Sequence, residues 1–97
     1  MEHLKYFEGF TQNYTYECSG SPQPTFRVKA DFNHYMAEHG FKKTTLSKKT
    51  DMLIVQYKGQ GTLKEKKAKQ YNIPIYTYAE AKKKVKEMSD EVMKYNM

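Results

Sequence analysis

A chain of 97 residues supports one hydrophobic core and leaves no room for a second. With 38% apolar, 14% aromatic and 29% charged residues and only 5 Gly and 3 Pro, it has material to fold and does not have the composition of a disordered or collagen-like polymer. A net charge of +6, from 17 Lys and Arg against 11 Asp and Glu, favours polyanionic partners such as nucleic acid, anionic lipid or phosphorylated protein.

The first element is a strand, because Tyr14-Thr15-Tyr16-Glu17-Cys18 is aromatic and β-favouring and runs into the turn cluster Ser19-Gly20-Ser21-Pro22. Residues 25–39 follow as a helix: Val28, Phe32, Tyr35 and Met36 recur at helical spacing and Gly40 stands where helices stop. Residues 41–46 suit a short strand. After the polar turn Ser47-Lys48-Lys49-Thr50-Asp51 comes Met52-Leu53-Ile54-Val55, apolar on both faces, as in a parallel strand covered on each side. The loop Tyr57-Lys58-Gly59-Gln60-Gly61 leads to Thr62, three residues before Glu65, which is the capping-box pattern that opens a helix; this one runs to about Tyr71. Residues 73–76 form a small strand with Pro74 at its start or on an edge. Thr77 and Glu80 repeat the capping pattern, and Tyr78, Ala81, Val85, Met88, Val92 and Tyr95 make one apolar face of a final helix.

Two helical crossovers in this order imply right-handed parallel connections with helices on both sheet faces. The expected fold is a single small α/β domain, a four-stranded parallel sheet flanked by about three helices. Residues 1–9 read as an N-terminal extension, 10–90 as the domain and 91–97 as the end of the last helix.

Several function classes are excluded by what is missing. The longest apolar run, Met52 to Val55, is far below the roughly 20 residues of a membrane span, and Met1-Glu2-His3-Leu4 is not the start of a secretory signal. The expectation is an intracellular chain, in cytoplasm or nucleus, with no membrane partner. A single cysteine rules out an internal disulfide or a cysteine-rich zinc site, and His3, His34 and His39 have no companions at metal-ligand spacing. Cys18 lies in a predicted buried strand, where a thiol acts as a small hydrophobe. Gly59-Gln60-Gly61-Thr62-Leu63-Lys64 matches neither a P-loop nor a dinucleotide fingerprint. No catalytic residue, metal or cofactor is expected.

What remains is an anion site. The helix starting at Thr62 offers backbone donors and a positive dipole end, yet its first turn also carries Lys64, with Lys67 following, a placement that helix electrostatics disfavours unless an anion sits there. Ser19 and Gly20, at the carboxyl end of the first strand, lie on the same edge of a parallel sheet as that helix start. Arg27, the one arginine of the chain, opens toward the same edge, and its guanidinium grips phosphate through a fork of donors that lysine lacks.

These residues together make the chain from about Phe10 to Met88 resemble a BRCT domain. The resemblance is carried by Ser19-Gly20 after the first strand, by Arg27 and by Gly40. It continues in Ser47-Lys48-Lys49-Thr50-Asp51 before the apolar strand, then in Lys64-Glu65-Lys66-Lys67-Ala68 and Ile73-Pro74-Ile75. It is closest to the DNA-binding branch found in bacterial NAD-dependent ligases and in the large subunit of replication factor C. The family's second glycine after the first helix is His39 here, and where its last helix typically carries a buried Trp or Phe this chain has Tyr78, Ala79 and Ala81.

The resemblance implies a non-catalytic module for DNA with 5′-phosphorylated ends or junctions, used in replication or repair. Ser19, Gly20, Arg27 and Lys64 would form its phosphate pocket, with Thr62 capping the helix and Lys67 adding charge. Lys48 and Lys49 are candidates for the neighbouring DNA backbone. The alternative is a phosphopeptide or protein-protein adaptor, a monomer or a weak homodimer joined through the last helix.

Overall fold

The computed structural model describes residues 14–95, with side chains through residue 90; the proposed extension 1–9 lies outside them. Its elements in chain order are β1 (Tyr14–Ser19), α1 (Lys29–Glu38), β2 (Phe41–Lys43), β3 (Met52–Val55), α2 (Leu63–Gln70), β4 (Ile75–Thr77) and α3 (Tyr78–Tyr95). The strands form one sheet in the order β2-β1-β3-β4. Every pairing in it is parallel. This is the four-stranded α/β architecture with three helices that the element order implies.

Alternation along β1 sorts its side chains by face. Tyr16 and Cys18 point to the side covered by α1 and α3, where they join Phe32, Met36, Met52, Ile54, Tyr78, Ala81 and Val85 in the larger core. Leu53 and Val55 of β3 point the other way, onto Ala68 of α2 and Ile73. The register Glu17 to Leu53 and Ser19 to Val55 therefore sets Glu17 and Ser19 on the α2 face. Because all four residues of β3 are buried, the strand is apolar throughout, as a covered parallel strand must be. Phe32 is the hub of the larger core, meeting the rings of Tyr16, Phe26 and Tyr78 edge-on at 5.6, 5.2 and 4.7 Å.

Helix α1 starts later than the spacing suggests. Val28 is its N-cap, with extended φ −141° and ψ 165°, and is 41% exposed, so it does not belong to the buried stripe. Phe26 takes its place: its amide bonds the Pro22 carbonyl at 3.0 Å and its ring packs on Phe32 and Tyr35. Both capping boxes form where expected, Thr62 with Glu65 and Thr77 with Glu80. Strand β4 begins after Pro74, whose carbonyl still accepts the Leu53 amide at 3.0 Å. Tyr78, Ala81 and Val85 of α3 are buried as the stripe requires. The side chains of Val92 and Tyr95 lie outside those described. No helix among the described residues is long and apolar enough to cross a membrane.

Candidate functional site

In a parallel sheet the loops that follow the strands, and the helix starts they lead to, gather at one edge. Here that edge carries a cavity of about 150 Å³ walled by Ser19, Gly20, Gln56, Gln60, Thr62 and Glu65. Ser19, Gly20 and Thr62, far apart in sequence, thus share one site. Gly20 is demanded by the backbone, because its φ is +83° and a Cβ there would stand 3.2 Å from the Gln56 Cβ. The turn is also tied down from the other face of the sheet. The buried Tyr78 hydroxyl donates to the Gly20 carbonyl at 2.9 Å, so the last helix fixes the position of the first loop. Burial raises the Tyr78 phenol well above its ordinary pKa, which keeps it a donor.

The start of α2 already holds an anion of its own. Glu65, only 3% exposed, accepts the Gly59 amide at 2.9 Å and the Thr62 amide at 3.3 Å, while its own amide donates to the Thr62 hydroxyl at 3.2 Å. Burial opposes ionisation of this carboxyl, yet the backbone amides of Gly59, Thr62, Gly61 and Gln60 hold it below its usual range. The glycine loop is therefore a concave set of donors wrapped around an internal carboxylate. Sequence reasoning placed Glu65 only as a cap; its tie to Gly59, outside the helix, depends on how the loop folds back.

Lys64 is brought to the same edge with a partner not foreseen in the sequence. Its ammonium donates to the Cys18 carbonyl at 3.0 Å and lies 3.7 Å from the Glu17 carboxylate. Glu17 is buried on the α2 face of β1 and also meets the Lys43 ammonium at 2.9 Å. Burial works against its charge, but the Lys43 hydrogen bond, the Cys18 amide and the Lys64 charge hold its carboxyl below the ordinary value. Lys64 thus sits beside the residue preceding Ser19, steered there by a carboxylate, with 44% of its side chain still exposed. A lone acid in an aromatic strand was the available signal for Glu17.

The remaining candidates are dispersed. Arg27 precedes the α1 N-cap on the carboxyl edge; its side chain is 81% exposed, pairs with Asp31 at 3.7 Å and does not wall the cavity. Lys67 is exposed on α2, one turn beyond Lys64. Lys48 and Lys49 stand elsewhere: the Lys49 carbonyl accepts the Thr15 hydroxyl at 3.4 Å, which places this turn beside the amino-terminal half of β1. Four residues of strand, about 13 Å, separate Thr15 from Ser19. Parallel pairing is the reason, since the chain must come back from the end of β2 to start β3 at Met52 opposite Tyr16.

Other reactive side chains serve the fold. Cys18 is buried. His34 faces Glu38 on the α1 surface, and His39 bonds the Tyr35 carbonyl at 2.8 Å while stacking on the Tyr35 ring. Among the described residues no group of three or more His, Cys, Asp or Glu is placed to hold a metal ion. No family model, curated protein or solved structure matches the chain.

Proposed function

We propose that this chain is a non-catalytic phosphate-recognition module of the BRCT kind, binding 5′-phosphorylated DNA ends or junctions in replication or repair. The observation that carries the reading is the convergence of Ser19, Gly20 and Thr62 on one cavity at the carboxyl edge, with the Lys64 ammonium anchored at the adjoining Cys18 carbonyl. A terminal phosphate in that cavity would meet the Ser19 and Thr62 hydroxyls and the side-chain-free Gly20 backbone, with the Lys64 cation at its flank offsetting the Glu65 carboxylate that the loop amides already hold in the wall. Arg27 is exposed and, among the described residues, pairs with the Asp31 carboxylate at 3.7 Å, so its guanidinium can exchange Asp31 for a phosphate at small cost. The excess of lysine supplies attraction for the rest of the DNA backbone without reading bases.

Fluorescence anisotropy with short duplexes carrying a 5′ phosphate or a 5′ hydroxyl tests the reading, using wild type and Arg27→Ala combined with Lys64→Ala. Tighter binding to the phosphorylated duplex, lost in the double variant, is the expected result. Equal and weak binding to both would refute end recognition and turn the search toward a phosphopeptide or another protein partner.

A further inference from the structure

Tyr57 lies in the wall of the cavity that holds Ser19 and Gly20, and 63% of it faces solvent. An aromatic ring this open gains nothing for the core. Its neighbour Lys58, one Cα step of about 3.8 Å away, belongs to a second groove of about 270 Å³ that also contains Tyr76, Lys83 and Lys84. The pairing of Val55 with Thr77 explains the adjacency, since it sets the loop after β3 beside the first turns of α3. The acids of this groove are Glu80 and Glu87. Glu80 is committed to the Lys58 ammonium at 2.7 Å and to the Thr77 amide at 3.0 Å. Lys83 and Lys84 remain exposed on the helix. The cavity with the Ser19 and Thr62 hydroxyls, then an open aromatic ring, then a lysine-bearing groove is the order in which one nucleotide end presents phosphate, base and next phosphates.

Resting on the phosphate-recognition reading above, we propose that the site selects unpaired 5′ ends. The terminal phosphate enters the cavity, the first base stacks on Tyr57, and the following backbone runs over Lys83 and Lys84. In a duplex the terminal base is paired along its edge and stacked on its inner face, which fixes the angle between phosphate and ring. An unpaired nucleotide turns about its backbone to meet the phenol, and stacking on an aromatic side chain does not depend on which base it is. Lys83 and Lys84 take over the backbone role that their distance from the cavity denies to Lys48 and Lys49.

The test uses four labelled DNAs in anisotropy titrations: a duplex with a short adenine 5′ overhang and a blunt duplex, each with a 5′ phosphate or a 5′ hydroxyl. Wild type should bind the phosphorylated overhang about tenfold more tightly than the phosphorylated blunt duplex. Tyr57→Ala should erase that preference, and Tyr57→Phe should restore it. Replacing Lys83 and Lys84 with Gln should weaken overhang binding and flatten its salt dependence by about 1.4 in log-log slope. Tyr57 is exposed, so its variants keep the fold, which circular dichroism checks. Equal wild-type affinity for overhang and blunt ends, or an overhang preference that survives Tyr57→Ala, overturns the proposal while phosphate recognition stands. Loss of phosphate discrimination on every DNA overturns both.

Discussion

Replacing Glu65 separates the charge of the carboxylate inside the glycine loop from its shape. In Glu65→Ala the Gly59 and Thr62 amides lose their acceptors at 2.9 and 3.3 Å, and the capping box opens. Leaving a buried donor unpaired costs about 1–3 kcal/mol, and water reaches this loop edge, so the lower half of that range applies to each amide and the total is about 2–4 kcal/mol. Gly59 and Thr62 bond different oxygens of Glu65, so Glu65→Gln keeps one acceptor but turns its amide nitrogen toward the other backbone donor; it loses the charge and one of the two bonds and costs about 2–3 kcal/mol. Urea unfolding at pH 7 measures both. The two variants also differ in acid. Because the folded carboxyl sits below its ordinary value of 4.5, its contribution is complete above that pH and fades as pH falls through the folded value. The gap between wild type and Glu65→Gln should therefore close in acid, whereas Glu65→Ala stays less stable throughout. A Gln variant as stable as wild type at pH 7, or a Gln deficit that does not shrink at low pH, refutes the account of the loop as a nest around a charge.

Tyr78→Phe removes the hydroxyl bond to Gly20 and keeps the ring against Phe32, so urea unfolding should show a loss of about 1 kcal/mol, with faster amide exchange in the turn after β1. Gly20→Ala meets a left-handed backbone and the Gln56 Cβ at 3.2 Å, and a loss of about 1–2 kcal/mol is expected from the same assay. Glu17→Gln should lower stability at pH 7 and remove part of the acid-induced loss below about pH 4.5, because the depressed Glu17 carboxyl stabilises the fold only while ionised. Its urea midpoint, followed by near-ultraviolet circular dichroism at a series of pH values, should approach that of wild type as pH falls.

Local signals carried most of the fold. The two capping boxes depend on residues three apart, and the apolar run of β3 states its own burial, so the starts of α2 and α3 and the buried strand β3 are legible without any tertiary information. Helix α1 was misjudged at its start because Val28 has the right spacing but sits at an extended N-cap, while Phe26 reaches the core from the loop. Of the four residues expected to form the pocket, Ser19 and Gly20 wall the cavity together with the capping Thr62, Lys64 is bonded to the adjoining Cys18 carbonyl without lining it, and Arg27 stands apart. Lys48 and Lys49 lie away from it, since their position depends on how the chain returns to the amino-terminal side between β2 and β3. The buried acids Glu17 and Glu65 escaped notice as site residues for a similar reason. A carboxylate is tolerated inside only when donors from distant parts of the chain surround it, and those donors cannot be counted along the sequence.

The outermost strands of the described sheet, β2 and β4, are three residues long. Lys42 and Lys43 are exposed on one, and Pro74, without an amide proton, enters the other. Each edge offers an incoming strand too few backbone groups to form a ladder, and lysines on β2 repel a second copy. Among the described residues the sheet edges are therefore poor templates for pairing with a second copy, and the helices and loops are the better surfaces for self-association.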